Sequence, residues 1–115
     1  MSAPAIVGAI RRAARALDQL PEDRMAAYRD LARHVVAVRE SMGDMDGRSW
    51  DYRQLMAQLY AEAGVSTDKR NRVQSAVRYH TGALIREAGK APEHWLDQSP
   101  RERSAQRRAD RAAAG

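Results

Sequence analysis

Apolar positions recur in steps of three and four along most of the chain. From Pro4 to Leu20 they are Ile6, Ile10, Ala13, Leu17 and Leu20, a narrow seam of coiled-coil type. Arg11, Arg12, Arg15 and Asp18 lie off it. Pro21 suits the first turn of a new helix, and Glu22 and Asp23 complement its dipole. That second helix repeats the seam with Tyr28, Leu31, Val35, Val38 and Met42, extended by Met25. With almost no loop between them, the two helices are expected to fold back as an antiparallel hairpin over residues 1–42. Two isolated seams leave an apolar edge, which must pack on the rest of the chain or on a second copy.

Gly43-Asp44-Met45-Asp46-Gly47 breaks the pattern. Ser49 reads as the N-cap of a third helix carrying Tyr52, Leu55, Leu59 and Ala63 on one face. Gly64 supplies the left-handed residue that ends a helix, and Val65 follows as an apolar clamp. Ser66 or Thr67 then caps a fourth helix, from about Asp68 to Glu87, with Val73, Val77, His80, Leu84 and Ala88 as its stripe. Gly89 ends it, and Pro92 to Leu96 is expected to add one turn that lays Trp95 and Leu96 over the core. No segment alternates apolar and polar residues over a useful length, so strands are not expected. The reading is all-α: one helical domain over 1–98, with the hairpin 1–42, a helix pair 49–89, and a basic tail 99–115. Ser99-Pro100-Arg101-Glu102 has the form of a capping box, yet the tail lacks an apolar stripe. A short helix without a packed face is marginal in water, so the tail is expected to be disordered or fraying, and helical when bound.

Composition sharpens this picture. Of 115 residues 43% are hydrophobic, but alanine supplies much of that share and phenylalanine is absent. The core must therefore be built from closely spaced helices. The absence of cysteine rules out disulfides, cysteine-based zinc sites and thiol catalysis. No apolar run approaches the roughly 18 residues of a membrane span, and no secretory signal is recognisable, so a cytoplasmic protein without membrane contact is expected. The net charge is +5, and the excess sits in the second half: residues 99–115 carry Arg101, Arg103, Arg107, Arg108 and Arg111 against Glu102 and Asp110. Only Lys69 and Lys90 are lysines among the 20 basic residues. That arginine bias, with the alanine richness, fits a GC-rich coding genome and discounts a bare arginine count.

Leu59, Ala63, Gly64, Val65, Ser66 and Val73 have the residue types that helix-turn-helix DNA-binding regulators place at these positions, so Leu59 to about Arg78 resembles that family. A helical region ahead of the turn is similar in layout to small actinobacterial regulators. Tyr60 stands where the family has a small residue that lets the helices approach, and Arg70 where it has a buried aliphatic anchor. The resemblance implies that the fourth helix enters the major groove of double-stranded DNA. Arg72, Ser75, Tyr79, Gly82 and Arg86 step by three and four and form one row, flanked by Asn71, Gln74 and Arg78. Arginine pairs with guanine edges, asparagine and glutamine with adenine, and tyrosine and serine with phosphate. The candidate DNA-binding set is Thr67, Lys69, Arg70, Asn71, Arg72, Gln74, Ser75, Arg78, Tyr79 and Arg86.

Other chemistry finds less support. Asp44-Met45-Asp46-Gly47 opens like a calcium loop, but Arg48 and Leu55 fall where positions five and twelve need ligands. His34, His80 and His94 lack metal or catalytic spacing, and His80 is read as a hydrogen-bonded core residue. There is no nucleophile–base pair and no phosphate-cradling glycine loop, so neither an enzyme nor a cofactor is expected. The sequence reads as a small DNA-binding regulator of a bacterial or mobile-element gene, with a homodimer through the hairpin as a second interaction. The alternative is a helical adaptor that binds another protein through its seams; a phage-type assembly component is a third class.

Overall fold

A computed structural model of the chain describes residues 3–96 and 100–114. Among these residues all regular elements are helical: α1 (Ala3–Ala16), α2 (Pro21–Ser41), α3 (Trp50–Glu62), α4 (Thr67–Glu87), α5 (Glu93–Leu96) and α6 (Pro100–Ala114). The all-α class expected from the sequence is the class observed. No helix among them is long and apolar enough to cross a membrane.

Pro21 sets the first boundary. A proline keeps the preceding residue out of the helical region, and Leu20 has φ −65° and ψ 150°. α1 ends earlier still, at Ala16. The amides of Leu17, Asp18 and Gln19 reach back to the carbonyls of Ala14, Arg15 and Ala16, a tightened last turn.

α1 is enclosed by three helices. α2, α3 and α4 all pack on it, and α2 also packs along α4. Ile6, Ala9, Ile10, Ala13 and Ala16 are buried to 1% exposure or less, and Val7 and Ala14 are buried as well. Its buried surface is thus a broad face, wider than the narrow seam the spacing suggests. Alanines at Ala9, Ala13 and Ala16 leave room for close backbone approach. α2 contributes Tyr28, Leu31, Ala32, Val35 and Val38 to the same core. Leu20, read as the last residue of the first seam, and Met25, read as an extension of the second, are exposed instead. The seams close on the remainder of the chain, and the Arg12–Asp30 pair at 3.1 Å joins α1 to α2 at the surface.

The stripe on α4 differs from the expected one. Val73, Val77, Thr81, Gly82 and Ile85 are buried, whereas His80 and Leu84 are half-buried and Ala88 is exposed. The helix is turned so that Thr81 takes the inward place assigned to His80. Its hydroxyl donates to the Val77 carbonyl at 3.0 Å, which satisfies the buried polar group within the helix. His80 instead packs between the rings of Tyr28 and Tyr79, at centroid distances of 6.4 Å and 5.5 Å.

The basic tail, expected to be disordered, is helical over Pro100–Ala114. Proline suits its first turn and alanine and arginine are strong helix formers. Its Ser104, Arg107, Arg108 and Arg111 also border a cleft against α4, so the helix has a neighbour that local pattern does not reveal. The capping serine proposed for it, Ser99, lies outside the described residues, as does the side-chain environment of Leu96.

Two expectations follow. Leu31 is fully buried, so Leu31→Ala should destabilise the protein by ~2–5 kcal/mol; a thermal melt with an unchanged midpoint would contradict the packing. Burial, then the charge of Arg29, hold His80 below its ordinary value of 6.5. The unfolded chain then takes up that proton first. The stability linked to neutral His80 is full above about pH 6.5 and declines as the pH falls toward the folded value. His80→Gln should flatten this acid-side loss in urea titrations at about pH 7.5 and about pH 5, and identical losses in both proteins would refute it.

Candidate nucleic-acid interface

The turn between α3 and α4 is built as its sequence suggests. Gly64 has φ +74°, a conformation that a side chain would strain. Its amide bonds to the Ala61 carbonyl and the Val65 amide to the Tyr60 carbonyl, the paired bonds of a Schellman motif. Ser66 caps α4 by accepting from the Lys69 amide at 3.3 Å, which leaves Thr67 as the first helical residue. Arg11 of α1 donates to the Glu62 and Ala63 carbonyls at 3.2 Å and 3.3 Å. A cation at a helix C-terminus is favoured by the dipole, and this one ties the turn to the central helix.

Beyond the turn the two helices diverge, with scarcely any close backbone approach between them. Tyr60 of α3 is buried to 1% exposure and lines the space between them. Burial, with a smaller push from Tyr52, raises its phenol pKa, partly offset by Arg70. The divergence leaves a cleft of about 430 Å³, with Tyr52, Met56 and Tyr60 on the α3 side and Arg70, Gln74, Val77 and Arg78 on the α4 side.

Gly47 of the 42–49 loop borders this cleft. Asp44 accepts from the amides of Gly47, Arg48 and Ser49. Burial alone would raise its pKa, but the bonds from Ser49, Arg48 and Gly47 outweigh that and lower it. Asp46 accepts from Trp95 Nε1 at 2.7 Å, and His94 Nε2 lies 3.2 Å from the same oxygen. The two carboxylates of the supposed calcium loop thus serve the loop and α5. Among the described residues no group of three or more acidic or histidine side chains is placed to hold a metal. Arg39 donates to Tyr52 Oη at 3.1 Å and to the Met45 carbonyl at 3.2 Å, with its guanidinium over the Tyr52 ring. Gly47, at φ +68°, faces that guanidinium; a Cβ there would lie 2.6–2.7 Å from its atoms.

The ten candidate residues of α4 fall into three groups. Thr67, Lys69, Asn71 and Arg72 are exposed on the first two turns. Arg70 and Gln74 are half-buried and line the α3–α4 cleft. Ser75, Arg78, Tyr79 and Arg86 line a second cleft of about 510 Å³, whose opposite wall is Ser104, Arg107, Arg108 and Arg111 of α6. Arg78 borders both clefts. Burial, then Arg111 and Arg39, lower its pKa, so cations crowd it. The row read from the sequence is therefore interrupted. Gly82 is buried, and Arg86 is half-buried, stacked 5.8 Å from the Trp95 ring and donating to the Trp95 carbonyl at 3.3 Å. Arg86 helps hold α5 to α4, a structural role that the sequence row did not suggest.

Sequence reasoning missed the wall that α6 makes. Ser104, Arg107, Arg108 and Arg111 share one helical face by their three- and four-residue spacing, a signal present in the chain but unreadable without knowing what that face meets. It also missed Arg39, whose role depends on a loop folding back. No protein-family model, no curated protein and no solved structure matches this chain.

The fit of Arg39 against Gly47 is open to test. Gly43 also has a positive φ, but no atom would meet a Cβ there. Gly47→Ala should cost ~1–3 kcal/mol, and more than Gly43→Ala, because Arg39 must also leave its two acceptors. Equal melting temperatures for the two variants would show that Arg39 yields freely.

Proposed function

We propose that the protein binds double-stranded DNA, with the first two turns of α4 and the α4–α6 cleft as its contact surface. The observation that carries this reading is the cleft itself: Arg78, Arg86, Arg107, Arg108 and Arg111 converge on it with Ser75, Tyr79 and Ser104, and no carboxylate is among its described lining residues. Concentrated like charge in a recess attracts polyanions, and hydroxyl and guanidinium groups are the usual partners of backbone phosphate. The exposed Lys69, Asn71 and Arg72 beside it offer donors suited to base edges. α6 stands beside the Ser75–Arg86 face, so this reading moves base contact to the start of α4 and leaves the later turns to phosphate. Regulation of a bacterial or mobile-element gene is the setting that fits the resemblance to helix-turn-helix regulators.

The adaptor alternative drew on unpartnered seams, but most of their residues are buried within the chain. The large exposed apolar side chains of the same hairpin, Leu20 and Met25, lie at its corner, and a homodimer through the hairpin would draw on them.

Duplex titrations over a range of salt test the proposal. Replacing Arg107, Arg108 and Arg111 by glutamine should weaken all duplexes alike. Each lost phosphate contact should flatten the slope of log K against log salt by about one unit. Arg72→Ala and Asn71→Ala should instead relax sequence preference by about 1–3 kcal/mol per lost base contact. Wild-type affinity and slope in the triple variant would retire the reading.

A further inference from the structure

The two clefts beside α4 differ in chemistry. The α4–α6 cleft is ringed by arginines and hydroxyls. The α3–α4 cleft has an apolar floor, in which Tyr52, Met56, Tyr60 and Val77 are each buried to 7% exposure or less. Of the four arginines on its walls, two are already engaged. Arg39 is bonded to Tyr52 and Met45, and Arg53 donates through Nε and Nη2 to the Arg48 carbonyl. Arg70 and Arg78 are not: among the described residues neither guanidinium group pairs with a carboxylate or donates a hydrogen bond. They sit eight residues apart on α4, roughly 12 Å along its axis, with Gln74 and Val77 between them.

We propose that the α3–α4 cleft binds a small organic dianion with a flat apolar body, one acidic group pairing with Arg70 and the other with Arg78. A simple phosphate is too short to pair with both cations across that distance. A neutral apolar molecule would gain no pairing with the two guanidinium groups. A molecule acidic at both ends and apolar between them meets both demands. A cleft of about 430 Å³ is within the range of small-molecule sites, roughly 300–1,000 Å³. Guanidinium groups are suited to two-point contact with carboxylate, and they stack on flat rings. The site lies between the two helices that flank Gly64, so its occupant bridges α3 and α4. Arg78 belongs to both clefts. An occupant that engages it therefore competes with phosphate next door, a consequence that rests on the nucleic-acid reading, whereas the binding itself does not.

The test uses the full chain without DNA, followed by backbone-amide NMR. Naphthalene-2,6-dicarboxylate, 2-naphthoate and inorganic phosphate are titrated separately to millimolar concentration. The expected result is saturable binding of the dicarboxylate, shifting the amides of Ala57, Gln74 and Val77. The monocarboxylate should bind ~10-fold more weakly for want of one charge-assisted pair, and phosphate should leave these amides unmoved. Arg70→Gln and Arg78→Gln should each lower dicarboxylate affinity ~10-fold, and Arg72→Gln, on the exposed side of α4, should not. Melting curves confirm that each variant folds. Ala57→Leu, which fills the cleft without altering charge, should also block binding. The proposal is overturned if the dicarboxylate produces no saturable shift, if it binds no better than 2-naphthoate, or if its shifts fall on Ser104 to Arg111. Because no nucleic acid is present, none of these results bears on the α6 variants that judge DNA binding.

Discussion

The arrangement depends on how α1 is enclosed. A chain without phenylalanine has few large side chains with which to fill space between helices, so its helices must approach closely. Ala9, Ala13 and Ala16, all fully buried, permit that approach, while Ile6 and Ile10 fill the gaps between them. Three helices can then pack on one short central helix. The apolar edge of the first two helices is covered by this arrangement, and α4 is oriented by it. Val73, Val77 and Ile85 point inward, which turns the exposed face of α4 toward α6.

Polar contacts refine what the alanine core permits. Arg11 joins α1 to the last carbonyls of α3, Arg39 joins α2 to the 42–49 loop and Tyr52, and Lys90 joins the end of α4 to Glu40 at 2.6 Å. Exposed ion pairs such as the last contribute little stability, typically ~0–1 kcal/mol. Arginines that donate to backbone carbonyls at helix ends and in loops also tie separate segments together, at groups the helices themselves leave unpaired. Several arginines of this arginine-rich chain are thus structural, and those without acceptors stand out against them.

Tyr60 is buried between α3 and α4, and Arg70 is half-buried at the margin of the same space. The Schellman turn at Gly64 thus joins a helix pair that opens into a cleft. On the other side of α4, α6 brings three arginines to face Arg78 and Arg86. Arg78 stands between two recesses of like charge, one apolar-floored and one polar, which gives α4 two distinct chemical faces.

Much of this was legible in the residues. The four main helices, the caps at Ser49 and Ser66, the stop at Gly64 and the break at 43–47 follow from local chemistry, since capping, proline geometry and positive φ act within a few residues. The exposed donors at the start of α4 were also legible, from their spacing on one helix. What local pattern could not decide was which residues of a broad apolar face turn inward. Thr81 in place of His80 on α4, and the exposure of Leu20 and Met25, depend on which helices surround each position. Nor could it place α6, because a face of serine and arginine has no hydrophobic period to announce a neighbour. The α4–α6 cleft lies between elements distant in sequence, and the α3–α4 cleft is lined as well by Val35 and Arg39 of α2. Local interactions end and cap helices, but only tertiary packing sets the gaps between them, and the candidate sites of this protein lie in those gaps.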